Sequence, residues 1–249
     1  LKPYKRVLPD LISSEPALPR ALSIANNLYL ALDKEGCHVH IAPAQAGLCR
    51  IRINEQEVEQ KDRKYGRYQS GSIWVPDRPT IFYIDAVPVG LALIEMTERV
   101  TMRYLNGKYY REDSDVIRSA KPRQLIHSWT TGQDVPSGRF RLFAYSPKNG
   151  VDWSMSWQET EQEPLDRKIP TIVGASQTAE SKLQRLMTAA DEAAAKRKKE
   201  WEEQRERYER QEDARKASQA LSDSKQQLTE IIEKWGKAVA VEQFFAEAE

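Results

Sequence analysis

The segment at residues 178–218 restricts what this chain can fold into more than any other feature. It contains neither Pro nor Gly, and it consists mainly of Ala, Glu, Lys, Arg and Gln, the strongest helix formers. A helix of this length, at 1.5 Å per residue, would be a rod of roughly 60 Å. Because such a rod is too long to lie against one small domain, we predict a helix that leaves the globular part of the protein.

Near residue 217 the mainly charged sequence gives way to one in which large apolar residues recur. This change predicts a second helix after the first. The long helix is expected at about 176–218, a bend at 217–220, and the second helix at about 220–248, folded back on the first or paired with another chain. The side chains expected at this partner or dimer interface are Trp201, Tyr208, Leu228, Ile231, Ile232, Trp235, Val239, Phe244 and Phe245. The segment therefore predicts a helical hairpin or a coiled coil, and through it a homo-oligomer or a protein partner.

Residues 1–164 have a different pattern, which predicts an α+β globular domain with a small mixed or antiparallel sheet. Ser14 has the position of an N-cap and Gly36 that of a helix end, so we predict one helix between them. Its apolar face is expected to comprise Leu18, Leu22, Ala25, Tyr29 and Leu32. A short strand is expected at 37–42. Pro164 marks the end of the domain, and residues 165–249 form the helical arm.

Two hairpins are predicted in the second half of this domain. The pattern at 91–104 is compatible with a helix or a strand, and the alternation at 100–104 favours a strand. The Asn106-Gly107 dipeptide that follows is a strong turn signal, after which the chain returns. Residues 139–145 alternate basic and apolar side chains, and after a turn residues 151–158 run back along them.

Composition excludes several classes of protein. The chain has 38 basic and 37 acidic side chains, so no overall field attracts it to nucleic acid. Two cysteines, Cys37 and Cys49, do not make a disulfide framework, which favours a reducing cytoplasm. No apolar run approaches the roughly 18 residues of a membrane span, and no signal peptide is recognisable, so we expect no membrane contact.

Two basic segments are candidates for contact with nucleic acid. The first lies in the polar loop 54–72, where Lys and Arg alternate with Tyr; phosphates bind the former and bases stack on the latter. The second lies at 112–123, a polar segment that we predict to be a loop. The candidate residues are Arg63, Lys64, Tyr65, Arg67, Tyr68, Lys121 and Arg123. The acidic neighbours of the first segment favour the alternative that both are solvated surface loops.

No pattern identifies a catalytic or metal-binding site. His38 and His40 share one side of the predicted strand, but no second ligand pair at metal spacing accompanies them. Glu57, Glu59 and Lys61 alternate as in a metal-dependent nuclease, yet no apolar strand fixes them. Neither a phosphate-binding Gly-rich loop nor a nucleophile elbow nor a zinc-protease motif occurs. We therefore assign no catalytic residue, no metal and no cofactor.

Several stretches of the chain resemble an uncharacterised family of bacterial proteins that is common on mobile elements. The stretches are ALPRALSIANNLYLALDKEGCHVHIAP (17–43), IEMTERV (94–100), SGRFRLFAY (137–145), WSMSWQE (153–159) and LTEIIEKWGKAVAVEQFFAEAE (228–249). Members of that family carry an N-terminal helix-turn-helix region, an α+β region and a charged helical tail. The helix-turn-helix region is missing here, so the resemblance implies that a DNA-binding segment precedes Leu1 in the intact protein.

Three functions are compatible with these observations. The favoured hypothesis is a non-catalytic interaction and dimerisation region of a DNA-associated bacterial regulator, or of a mobile-element defence component. The first alternative is a metal-dependent nuclease or hydrolase. The second is a nucleic-acid-binding module that uses the two basic segments. The sequence names neither the partner nor a DNA site.

Overall fold

The structure is a computed structural model that describes residues 6–58, 61–62, 66–67 and 74–247, with the backbone alone at 61–62, 66–67 and 245–247. Its strands are β1 (Leu11–Ile12), β2 (His40–Ile41), β3 (Lys61–Asp62), β4 (Gly66–Arg67), β5 (Thr80–Ile84), β6 (Val87–Leu105), β7 (Lys108–Arg111), β8 (Thr130–Tyr145) and β9 (Ser154–Gln158). Its α-helices are α1 (Leu18–Lys34), α2 (Asp115–Arg118), α3 (Pro122–Leu125), α4 (Ile169–Thr178) and α5 (Glu180–Glu247). Two 3₁₀ turns lie at Ala44–Ala46 and Leu165–Lys168.

The 19-residue strand β6 is the centre of the main sheet, because other segments pair along both of its edges. One edge pairs antiparallel with β8, from Gly90 to Arg103, with a bulge between Glu95 and Thr97. The other edge pairs in turn with β5, β1, residues 55–57 and β7. Among the described residues, seven strands form this sheet. The β1–β6 pair and the isolated bridge between Gln56 and Thr97 are parallel, and the other described pairs in this sheet are antiparallel. The predicted α+β class with a largely antiparallel sheet is confirmed.

Apolar side chains cover both faces of the sheet where β6 begins. On one face α1, α4 and the first turns of α5 form the main core, which includes Ile24, Leu28 and Leu183. On the other face Ile53 packs with Tyr145 and its neighbours in a smaller cluster. The apolar run in the first half of β6 suits this position, because a strand that is buried on both faces needs no polar alternation.

Helix α1 forms where we predicted a helix, but its start and its buried face differ. Its buried side chains are Ala21, Ile24, Ala25, Leu28 and Leu32, whereas the predicted face residues Leu18 and Leu22 are exposed. The N-cap is Ala17 and not Ser14. The Ser14 N–H instead donates to the Glu95 Oε2 at 2.5 Å, a partner 81 residues away that local spacing cannot reveal. Gly36 follows the helix at φ +78°, as its role as helix end requires.

Both predicted hairpins are present. β6 turns through Asn106 and Gly107, whose φ angles of +49° and +84° match a type I′ turn, into β7. β8 pairs antiparallel with β9, where Trp153 is buried, Met155 and Trp157 are half-buried, and Ser154 and Ser156 between them are exposed. The predicted loop at 112–123 is wrong in detail, because α2 and α3 form within it.

Helix α5 is one continuous helix of 68 residues, so the predicted division into two helices with a bend at 217–220 is wrong. The residues at that point are Ala, Ser, Gln and Ala, none of which breaks a helix. Gly236 is also accommodated, at a cost of about 1 kcal/mol relative to Ala. A hairpin within the arm is therefore absent.

The chain divides into two compact units after Ala190 and not after Pro164. Residues 165–190 belong to the first unit because Leu165, Ile172 and Leu183 are buried in the main core. The second unit, Asp191–Glu249, contains the rest of α5. Among the described residues, no helical segment combines the length and the apolar character that crossing a bilayer requires.

Candidate functional site

Large apolar side chains in the second unit are exposed along α5. Trp235 is 69% exposed and Tyr208 is 65% exposed. The other exposed members of the predicted interface are Trp201, Leu228, Ile231, Ile232 and Phe244, to which the structure adds Leu221 and Val241. Val239 is half-buried, and the side chain of Phe245 lies outside the described residues. Burying one large apolar side chain contributes about 1.5–3 kcal/mol, so a partner that covered several of these side chains would bind favourably.

These side chains do not all share one side of the helix. A straight helix advances about 100° per residue, which puts one group within roughly 60° of Leu228. We call this group the seam: Leu221, Leu228, Ile231, Ile232, Trp235 and Val239. By the same geometry Trp201, Tyr208 and Phe244 lie roughly 160–180° from Leu228, on the opposite side. The predicted interface residues therefore separate into a seam and three aromatic residues that are not part of it.

The charged part of α5 is balanced. Residues 191–218 carry nine basic and nine acidic side chains. Several form exposed pairs one turn apart, such as Lys196–Glu200 at 4.0 Å and Arg210–Glu206 at 3.2 Å. Each such pair contributes a few tenths of a kcal/mol, which supports a solvated helix and not a charged binding patch.

The two predicted basic segments have different outcomes. Arg63, Lys64, Tyr65 and Tyr68 lie outside the described residues. For Arg67 the structure gives only the backbone, in strand β4, which pairs antiparallel with β3. The second segment is described completely. There Lys121 is the N-cap of α3 and Arg123 lies within it, and both side chains are exposed.

Three aromatic residues that our sequence reasoning missed flank this second segment in the sequence, and we call them the aromatic ladder: Tyr104, Tyr109 and Trp129. The Trp129 ring stacks on Tyr104 at 4.3 Å between centroids and 16° between planes. The Tyr109 ring lies edge-on to Tyr104, at 5.2 Å between centroids. A search for aromatic residues on either side of the predicted turn at Asn106 would have found the tyrosine pair.

Of the candidate nuclease carboxylates, Glu57 is bound to an arginine. Arg139 donates to both oxygens of Glu57, at 2.9 and 2.5 Å, and to Glu98 at 3.3 Å. The hydrogen bond to Glu57 contributes most to raising the pKa of Arg139, and the contact with Glu98 adds to it. A cleft of about 350 Å³ borders Glu57 and Glu98.

The other two residues of the nuclease hypothesis are not described: Glu59 lies outside the described residues, as does the Lys61 side chain. Within the described part of the chain, no group of three His, Cys, Asp or Glu residues is placed to hold a metal ion.

The two histidines are exposed and have separate neighbours. His38 contacts Asp33 through its Nδ1, and the His40 ring stacks on Tyr83 at 5.7 Å. Each imidazole therefore has a protein neighbour, and neither contact requires a bound ligand.

A buried ion pair, which the sequence did not indicate, fixes the N-terminal strand. Arg50 Nε donates to Asp10 Oδ2 at 2.6 Å, and the Asp10 side chain is fully buried. Burial raises the pKa of Asp10, and the Arg50 guanidinium opposes that rise. The Asp10 backbone also pairs with Leu93 of β6 and with Thr80. These contacts give the pair a structural role.

Comparisons of the chain with protein-family models, with curated proteins and with solved structures give no match. The resemblance to the mobile-element family therefore stays a prediction.

Proposed function

We propose that this protein is a non-catalytic interaction module that forms a homodimer through the seam of α5. The observation that carries the proposal is the exposure of the seam on a helix without a break. A hairpin would have covered these side chains from within the chain, and no such turn exists between Glu180 and Glu247.

A second copy of the chain is the partner that suits the seam best. Leu221, Leu228 and Trp235 repeat at seven-residue intervals, which is the spacing that lets two helices pack together along their length. The balanced charge of residues 191–218 gives two identical helices no net repulsion. Burial of five large seam side chains from each copy, at about 1.5–3 kcal/mol apiece, exceeds the roughly 4–15 kcal/mol that association costs.

The wider role follows from the resemblance and belongs to the same proposal. The module would join two copies of a DNA-associated bacterial regulator, or of a mobile-element defence component. We propose a cytoplasmic location because Cys37 and Cys49 are both free thiols, which suits a reducing compartment.

The test is the mass in solution of a double variant, Ile231→Glu with Trp235→Glu, measured by light scattering and sedimentation over a range of concentrations. The unmodified chain should have twice the mass of one copy. The variant should dissociate at least about 100-fold more readily, because two buried apolar side chains are lost and charges take their place.

The matched control is Tyr208→Glu, which puts the same charge on the same helix at an equally exposed aromatic residue outside the seam. It should keep the dimeric mass. Circular dichroism checks that all variants retain the helix. A single-copy mass for the unmodified chain at every concentration, or equal dissociation of both variants, would overturn the proposal.

A further inference from the structure

The aromatic ladder is a preorganised surface at the end of the main sheet. Tyr104 and Tyr109 are directly opposite in the β6–β7 pair, so their side chains share one face. The Tyr104 N–H donates to the Trp129 carbonyl at 3.0 Å, which places Trp129 on the other side of Tyr104. The Trp129 indole N–H also donates to the Tyr109 hydroxyl at 3.3 Å. These contacts hold the rings in place before any ligand arrives.

The ladder lies where the core does not extend. Every residue of β6 from 97 to 104 is half-buried or exposed. Trp129 is 52% exposed and Tyr109 is 40% exposed, and the neighbouring Ile126 is 72% exposed. Much of the aromatic surface therefore faces solvent, where a planar ligand can reach it.

The charge around the ladder favours an anionic ligand. Residues 103–130 carry six basic and three acidic side chains. Two of the acids are already paired, Glu112 with Arg103 at 2.5 Å and Asp115 with Arg118 at 3.3 Å. Within the described part of the chain, Lys108, Lys121 and Arg123 have no carboxylate partner and are exposed. Exposed aromatic rings with unpaired cations beside them are what single-stranded nucleic acids bind, through base stacking and phosphate contacts.

We propose that this surface binds single-stranded nucleic acid. A base stacks on the exposed part of Trp129, the most exposed ring of the ladder, while Lys121, Arg123 and Lys108 contact the phosphates. Stacking and phosphate contacts do not distinguish the bases, so we expect the binding to be tolerant of sequence. The site is separate from the seam of α5.

The experiment measures fluorescence anisotropy of labelled oligo(dT), oligo(U) and a DNA duplex over a salt series. The charge variant is Lys121→Glu with Arg123→Glu, and its matched control is Lys182→Glu with Arg185→Glu, two exposed basic residues of α5 in the same compact unit. The ring variants are Trp129→Leu, which removes the flat surface, and Trp129→Phe, which keeps it.

The two single strands should bind in preference to the duplex. The charge variant should bind at least about tenfold more weakly, and its slope of log affinity against log salt should fall by roughly 0.7 for each phosphate contact removed. Trp129→Leu should also lose about tenfold, while Trp129→Phe and the control pair remain close to the unmodified chain. Binding should persist in the dissociated Ile231→Glu, Trp235→Glu variant, which separates this proposal from the dimer.

Three results would overturn the proposal. The first is the absence of binding to either single strand at low salt. The second is an equal loss in the charge variant and its control, which would indicate overall charge and not a site. The third is unchanged affinity in folded Trp129→Leu, which would limit the ladder to stabilising the hairpin.

Discussion

The two halves of strand β6 belong to one continuous backbone but have opposite surroundings. Residues 87–96 are buried except for Pro88, with helices on one face and a second apolar cluster on the other. Residues 97–104 have no fully buried member, and the aromatic ladder lies at their end. Because burial of apolar side chains is the main source of stability, we expect the sheet's stability to be concentrated in the covered half, while the uncovered half presents side chains to solvent. Substitutions of the same kind should therefore have unequal effects in the two halves.

The largest difference is expected between two ion pairs. Arg50→Ala leaves the buried Asp10 carboxylate without its partner, which should reduce the free energy of unfolding by about 3–5 kcal/mol. Arg111→Ala removes an exposed pair with Glu98 in the uncovered half and should cost less than about 1 kcal/mol. Chemical denaturation measures both. Equal losses would show that the two halves are equally stable and would contradict the comparison.

Two glycines allow one substitution to be compared across the halves. A Cβ at Gly90 would lie 2.5 Å from the buried ring of Tyr145, so Gly90→Ala should cost about 1–3 kcal/mol. A Cβ at Gly132 would meet only the guanidinium of Arg99 at 2.7 Å, the far end of a flexible side chain. Gly132→Ala should therefore change the free energy of unfolding by less than about 1 kcal/mol. A tolerated Gly90→Ala would mean that the Tyr145 ring can move.

The smallest effect is expected at high pH. Burial, with a contribution from Asp10, raises the pKa of Tyr29 from 10.0 to about 12. Between these values the unfolded chain loses the phenolic proton while the folded chain keeps it, so stability falls as the pH rises from about 10 to 12. Tyr29→Phe should lessen that fall, as measured by the free energy of unfolding at pH 8 and at pH 11. An identical decline in both proteins would show that Tyr29 is not shielded in the fold.

Local features of the fold were predictable, because neighbouring residues determine them. The turn at Asn106, the β8–β9 hairpin and the end of α1 at Gly36 are confirmed. The helical character of the arm was also correct, but its continuity was not, because a short run of Ala, Ser and Gln neither breaks nor marks a helix.

Long-range features were not predictable from a single sequence. The parallel pairing of Leu11 with Leu93 and the bond from Ser14 to Glu95 join residues about eighty positions apart, and no local pattern records such a register. The predicted interface contained five of the six seam residues together with Trp201, Tyr208, Phe244 and Phe245. Trp201 and Tyr208 were included because the sequence predicted a bend at 217–220. In one continuous helix they lie on the side opposite Leu228. The aromatic ladder depends on cross-strand register and was missed for the same reason.

Strand β6 pairs with segments that are synthesised before it and with a strand that is synthesised after it. On one edge its middle is hydrogen-bonded by residues 10–12 and 55–57, and its other edge is completed only by β8. The upstream segments leave the ribosome first and have no strand to join until β6 follows them, at roughly 5–20 residues per second. The nascent chain therefore carries these upstream segments without their strand partner for several seconds.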